Sequence, residues 1–257
     1  MFRIHVLRSL APAISTLMMI PAAASSTAGK GIWSKKGVAF FAGCGRPFKE
    51  CKPLRILSPD GKSVVAVTYA TNPEFPDVET ASLDVTTLGK VRGHVQPVAS
   101  VGNEVVWSPD SKAFFISGNN NANGSDDFAV FFLDEPALGA RRIKQDVEKD
   151  MVRSFPPCKA APPPISNCAE VAEDPDFAGV LAIDWNGDSA RIVVMAEVTC
   201  SSSMGGIMCQ VLRYELDARS GRILRRMEPK EFARSWQHSM AWKFRIPDPP
   251  AFLANTQ

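Results

Sequence analysis

The sequence predicts an all-β fold built from a repeated unit of short antiparallel strands. A six-residue signature occurs as LSPDGK at 57–62 and WSPDSK at 107–112, and in degraded form as WNGDSA at 185–190. Runs rich in β-branched and aromatic residues flank each copy, which is typical of strands joined by turns. The signature aspartates are separated by 50 and then 78 residues, as expected for a supersecondary repeat with one insertion.

The signature predicts a tight turn between the first and second strands of each unit. Its Ser and Asp side chains can bond to nearby backbone groups, its Pro presets φ, and Gly61 can adopt a left-handed conformation. Ser111 replaces this glycine in the second copy. Turn formation therefore accounts for Asp60, Asp110 and Asp188 without a bound metal ion.

The same succession of segments follows each turn: an apolar run, a polar loop, a second run, a glycine turn and a short basic run. The three runs are 63–69, 80–85 and 91–95 in the first unit, 113–117, 128–133 and 141–143 in the second, and 191–198, 210–216 and 222–224 in the third. With the strand that precedes each signature, we predict four antiparallel strands per unit.

This order of strands, the Ser-Pro-Asp-Gly-Lys turn and the later Gly-Lys or Gly-Arg turn resembles the blade repeat of TolB-like β-propellers over about residues 53–226. The resemblance implies a propeller-like array of about three recognisable four-stranded blades. Closed propellers have roughly four to eight blades. Three alternatives follow: degenerate extra strands from the termini at 31–52 and 227–246, an open array, or a homodimer in which two chains complete each other.

Two stretches interrupt the repeat. Residues 147–177 form an insertion whose prolines, at 156–157 and 162–164, predict an extended, disulfide-held excursion. After Met227, Pro229 is suited to a helix start, which predicts a short C-terminal helix ending near Trp236. The alternating run at 240–246 predicts a strand that pairs with residues 33–41.

The N-terminus has the features of a secretory signal peptide. Arg3 and Arg8 precede an apolar stretch at 10–20, and small residues lead to a cleavage site near Ala24. A membrane anchor is the alternative, but the stretch is shorter than the roughly 20 residues that span a bilayer. We therefore expect a bacterial periplasmic or secreted protein whose residues 25–257 form a single domain with the insertion at 147–177.

Six cysteines form three close pairs in the sequence: Cys44 with Cys51, Cys158 with Cys168, and Cys200 with Cys209. An even count in an exported chain predicts disulfides, and six cysteines allow 15 connectivities. Each neighbouring pair brackets a Gly-rich or Pro-rich loop, which favours the sequential connectivity. A zinc site is the alternative, but it usually has tighter spacing and histidine ligands.

The charge balance argues against nucleic acid and anionic membranes as partners. The predicted signal peptide contains two of the 29 Lys and Arg and none of the 27 Asp and Glu, so the remaining chain has 27 of each. Binding to phosphates requires a basic surface. No later stretch is long and apolar enough for stable membrane insertion.

The sequence contains no hydrolase elbow and no glycine-rich phosphate loop, and His94 and His238 are the two histidines after the signal peptide. Asn119, Asn121 and Asn123 have the spacing at which a calcium loop begins. They lack charge, and Val130 stands where that loop has its bidentate glutamate. We therefore expect no cofactor and no metal ion.

These observations predict a non-enzymatic, exported protein-binding module of the inhibitor, immunity or envelope-complex type. Recognition is expected on the loops at 72–79, 118–127 and 200–209, which occupy equivalent positions between the second and third strands of each unit. The candidate binding residues are Asn119, Asn121, Asn123, Asp126, Asp127, Ser202 and Met204. The alternative is a propeller-fold hydrolase or lyase with its site in the central channel.

Overall fold

The structure, a computed structural model, describes residues 33–45, 52–74, 78–99, 102–119, 126–154, 178–199 and 210–236. Within these residues the chain forms three antiparallel β-sheets and two helices, which confirms the all-β fold class and the short C-terminal helix. The predicted signal peptide and the strand at 240–246 lie outside the described residues.

The first sheet contains the first predicted unit. Its strands are β2 (Gly43–Gly45), β3 (Leu54–Leu57), β4 (Ser63–Thr71), β5 (Val78–Thr87) and β6 (Lys90–Val95). β3, β4, β5 and β6 pair consecutively, and the N-terminal strand β2 pairs with the start of β5. The four predicted strands of this unit are therefore present, with one strand added from the N-terminal part of the chain.

The second sheet contains three strands of the second unit and another N-terminal strand. Its strands are β1 (Val38–Phe41), β7 (Gly102–Trp107), β8 (Ala113–Asn119) and β9 (Asp127–Phe132), in the order β1-β7-β8-β9. The prediction of a fourth strand at 141–143 is wrong, because Arg141 forms only an isolated bridge with Val130. Instead, β1 pairs with the opposite edge of the sheet, along β7.

The third sheet is formed by β10 (Ala178–Trp185), β11 (Arg191–Val198), β12 (Val211–Asp217) and β13 (Ile223–Arg226), paired in sequence order. The helices are α1 (Gln145–Ser154) and α2 (Pro229–Trp236). α1 corrects the prediction that the insertion is extended from residue 147. Val147 and Met151, one helical turn apart, are both buried, and Asp146 and Glu148 lie in the first turn, where acidic groups are favoured.

The signature turns have the predicted geometry. The Asp60 carboxylate accepts hydrogen bonds from the Ser58 hydroxyl at 2.6 Å and the Lys62 amide at 3.1 Å. Ser108, Asp110 and Lys112 repeat this pair of bonds in the second unit. The φ angle is 70° at Gly61 and 64° at Ser111, so the serine adopts the same left-handed conformation as the glycine.

Successive sheets are joined by the same pair of contacts. The Trp107 indole donates to the Ile56 carbonyl, and the Trp185 indole donates to the Val106 carbonyl, both at 3.2 Å. In addition, the Asp60 amide donates to the Ser111 hydroxyl at 3.0 Å. The Asp110 amide donates to Ser189 at 3.1 Å. Because these residues hold equivalent repeat positions, the first and second sheets are related as the second and third are.

Three buried clusters hold the stack together. One lies between the first and second sheets and includes Leu83 and Phe114. Another, between the second and third sheets, includes Phe115 and residues of α1. A third covers the remaining face of the third sheet with Trp33, Met227 and Phe232. Among the described residues, no buried cluster forms on the remaining face of the first sheet, which we call the open face.

Candidate functional site

The connections between second and third strands leave the stack at one end. They follow Thr71, Asn119 and Val198 and lead into Val78, Asp127 and Val211, whereas the signature turns close the opposite end. The shared contact between successive sheets keeps the strands in the same orientation. The described ends of the three predicted recognition loops therefore lie side by side, and we call this the loop end.

The structure describes part of the predicted site. Asn119 is the last residue of β8, where it pairs with Gly102. Asp126 is buried, with 3% of its surface exposed, and its carbonyl accepts the Val180 amide of the third sheet. Outside the described residues lie Asn121, Asn123, Ser202, Met204, Cys51, Cys158, Cys168, Cys200 and Cys209, together with the side chain of Cys44. The disulfide pairing therefore remains a prediction.

Asp127 joins the loop end to α1. Its carboxylate accepts the Phe128 amide at 2.8 Å and lies 3.4 Å from the Lys144 ammonium and 3.8 Å from the Arg142 guanidinium. Lys144 also pairs with Glu148 in the first turn of α1. Asp126 and Asp127 thus fix the base of the second loop to neighbouring elements, so they serve to position this loop.

A cleft of about 700 Å³ opens at the opposite end, between the second and third sheets. The Arg191 side chain holds the pKa of Asp188 below its usual value, and hydrogen bonds from Ser220 do the same for Asp217. Arg219 pairs with Asp134 and lies 4.3 Å from the centre of the Phe132 ring. These charged groups are therefore bonded to one another and to the turns, as expected of a joint between two sheets.

His94 lies on the open face, where its Nδ1 atom contacts the Asp84 carboxylate. The imidazole is well exposed, with 69% of its side chain accessible. It stands on an open sheet surface with one carboxylate neighbour, and His238 lies outside the described residues. In the described part of the chain, no three His, Cys, Asp or Glu side chains converge as a metal site.

Sequence reasoning missed a buried carboxylate that fixes the N-terminal segment. Glu104 in β7 is fully buried and accepts hydrogen bonds from the Trp33 amide at 2.6 Å, the Ser34 amide at 3.0 Å and the Ser34 hydroxyl. A Cβ atom at Gly37 would overlap this carboxylate. Glu104 therefore anchors the turn that leads into β1, and no sequence motif around it predicts this role.

No protein-family model matches the chain, and no curated protein is significantly similar to it in sequence. The likeness to TolB-like blades therefore remains a prediction from the signature and its spacing. Among the described residues, no helix combines the length and the apolar character needed to cross a membrane.

Proposed function

We propose that the chain is an exported, non-enzymatic protein-binding module that presents the loops of three propeller-like sheets to a partner. The observation that carries this proposal is the asymmetry of the stack. The three connections between second and third strands leave from one end, while the signature turns, which have internal hydrogen bonds, close the other. Loops held by a rigid scaffold are the usual position of binding residues.

The size of the loop end favours a protein as the ligand. Packed sheets are about 10 Å apart, so loops from three successive sheets extend over roughly 20 Å. A standard protein interface buries about 800 Å² on each partner, which is the scale of such a surface. The fixed bases of the loops, such as the Asp127 contacts with Arg142 and Lys144, limit the ordering cost of binding.

The propeller-like arrangement is part of the same proposal. It is supported by the repeated contacts of Trp107 with Ile56 and of Trp185 with Val106, since a blade repeat requires one constant relation between neighbours. β1 and β2 provide extra strands from the N-terminal part of the chain, as the alternative with degenerate strands expects.

The predicted compartment narrows the class of partner. A signal peptide cleaved near Ala24 directs the chain to the periplasm or the medium, where cysteines form disulfides. The predicted Cys200–Cys209 bridge would close the third recognition loop. Stiffened loops suit an inhibitor, an immunity-type protein or a component of an envelope complex, because each of these holds another protein.

The test is capture of a partner by the tagged, exported chain from periplasmic extract, followed by titration of the purified partner. Replacement of residues 120–125 by a Gly/Ser segment should weaken this affinity at least tenfold, and it spares the buried Asp126. As a matched control, Lys62→Ser with Lys112→Ser changes exposed residues at the opposite end and should leave the affinity unchanged.

The enzyme alternative predicts a different result. If His94→Ala abolished turnover of a small substrate while the replacement of 120–125 left it intact, the protein-binding proposal would be wrong. Circular dichroism should first establish that each variant retains the β-sheet content of the parent chain.

A further inference from the structure

The open face of the first sheet is the repeat equivalent of two buried surfaces. The register aligns Leu57, Val64, Thr86 and Val91 across the four strands, and we call this the apolar row. In the second sheet the equivalent row begins with Trp107 and Phe114, which pack against the first sheet. The apolar row has no described sheet before it: Leu57 and Val91 at its ends are 59% and 64% exposed, whereas Val64 between them is 8% exposed.

A second row on the same face carries opposite charges. Arg55, Ala66, Asp84 and His94 are aligned across β3, β4, β5 and β6, and we call this the charged row. Beyond it, the aligned Thr68 and Ser82 form a hydroxyl row. The open face is therefore apolar towards the signature turns, charged in its middle and hydroxyl-bearing towards the loop end.

The other end of the stack is covered. Trp33, Met227 and Phe232 pack on the outer face of the third sheet. A head-to-tail stack of copies, in which the open face of one chain meets the third sheet of the next, is blocked by these residues. Contacts between copies through the open face must therefore be self-complementary, which is the property of a two-fold interface.

We propose that the open face binds the open face of a second copy of this chain about a two-fold axis parallel to β4. In this arrangement β4 faces its own symmetry mate and β3 faces β5 of the second copy. Arg55 then meets Asp84 of the second copy on both sides of the axis, and Leu57 meets Thr86. Face-to-face sheets with nearly aligned strands are a common packing mode.

The charged row selects this axis over the alternative. A two-fold axis perpendicular to the strands along this row would place Arg55 against Arg55 and Asp84 against Asp84, which is repulsive. It would also place the apolar row against the hydroxyl row. The axis along β4 instead brings opposite charges together and sets the apolar row against itself, and the small side chains of Val64, Ala66 and Thr68 at its centre allow close approach.

The dimensions predict a small contact. About this axis β4 overlaps its symmetry mate over nine residues, or about 30 Å, and β3 overlaps β5 of the second copy over four residues, or about 14 Å, with strands about 4.8 Å apart. This is less than the roughly 800 Å² that one partner buries in a standard interface, so we expect a dimer that dissociates on dilution. Because the axis is parallel to the strands, the loop ends of both copies face the same side of the dimer. The dimer would therefore present two binding surfaces, which goes beyond the proposed function of a single module.

The test is the mass of the exported chain by sedimentation equilibrium. Wild-type protein at 100 μM should be a dimer that dissociates on dilution. Arg55→Glu and Asp84→Arg should each raise the dissociation constant at least tenfold, because each creates two like-charge contacts. Arg222→Glu, a charge reversal at an exposed position just before β13, is the matched control and should not change the mass.

Mixing the two variants makes the test specific for contact between copies. An equimolar mixture of Arg55→Glu and Asp84→Arg chains should form heterodimers with nearly the wild-type dissociation constant, since both contacts become attractive again. A monomeric wild type at 100 μM, or a mixture that stays monomeric, would overturn the proposal. So would a chain that dimerises only after residues 237–257 are removed, because that segment would then be the occupant of the open face.

Discussion

Trp107 and Leu57 occupy the same position of the repeat and experience opposite surroundings. Trp107 is 8% exposed, and its indole bonds to the preceding sheet, whereas Leu57 is 59% exposed on the open face. Seven residues later, Phe114 stacks on Phe131 with ring centres 4.8 Å apart, and the equivalent residue in the first sheet is Val64. The repeat thus determines which side chains face the preceding sheet, and that sheet buries the large aromatic side chains; on the open face Leu57 stays exposed, although Val64 is 8% exposed.

The largest expected difference is between substitutions at these two surfaces. Phe114→Ala should lower the free energy of unfolding by about 3–5 kcal/mol, because it leaves a cavity between two sheets. Leu57→Ala should lower it by less than about 0.5 kcal/mol in the monomer, since most of the side chain is already in water. Urea titration at low protein concentration measures both, and equal losses would contradict the assignment of buried and open faces.

The edges of the first two sheets at β3 and at β7 also differ. β1 covers the edge of β7, and Glu104 anchors the turn before it, whereas β3 is a terminal strand among the described residues. Glu104→Gln should cost about 1.5–3 kcal/mol, because the new amide turns a donor towards the amides of Trp33 and Ser34. Hydrogen exchange should quicken across 38–41. Glu79→Gln, at an exposed position of β5, is the control and should leave this exchange unchanged.

A smaller effect is expected at the bond between signature turns. Ser111→Ala removes the acceptor of the Asp60 amide and should cost about 0.5–1.5 kcal/mol. Ser111→Gly removes the same bond but relieves the left-handed backbone at φ 64°, which is worth about 1 kcal/mol. The glycine variant should therefore unfold at a higher urea concentration than the alanine variant. The reverse order would show that φ is not a source of strain at this position.

Most strands could be predicted because their signal is local. The run 63–69, for example, is β-branched and follows a strong turn, and it forms β4. The absent strand at 141–143 had no such support: Arg141 bridges only to Val130, while its side chain lies over Phe132 and pairs with Glu135. Tertiary contacts replaced sheet pairing there.

The helix α1 and the anchor Glu104 were missed for different reasons. α1 has a detectable pattern, with Val147 and Met151 four residues apart, but the nearby prolines outweighed it. Glu104 lies in a run whose neighbours are all buried, and its partners are 70 residues or more away in the chain, at Trp33 and Ser34. Partners this distant in the chain leave no pattern in the sequence around Glu104. The strands that flank the candidate loops could be predicted from the repeat alone, because the signature makes these strands easy to count.

The smallest expected effect is a loss of stability in acid. The Ser58 hydrogen bond holds the pKa of Asp60 below 3.8, and Arg191 does the same for Asp188. Folded carboxyls with a lowered pKa stabilise the chain above pH 3.8, and this contribution is lost as the pH falls through the lower folded value. The melting temperature should therefore drop as the pH falls below about 3.8, and Asp188→Asn should flatten that drop. If the melting temperature of Asp188→Asn fell with pH as steeply as that of the parent chain, the Asp188 carboxylate would not stabilise its turn.

Exchange of the indole hydrogens by NMR tests most directly that successive sheets repeat one contact. The chain has five tryptophans, and the repeat assigns inter-sheet bonds to the Nε1 hydrogens of Trp107 and Trp185. Both hydrogens should exchange as slowly as the backbone amides of β8, because both bonds open only when the sheets separate. Rapid exchange of either indole while the β8 amides stay protected would contradict a stack joined by one repeated contact.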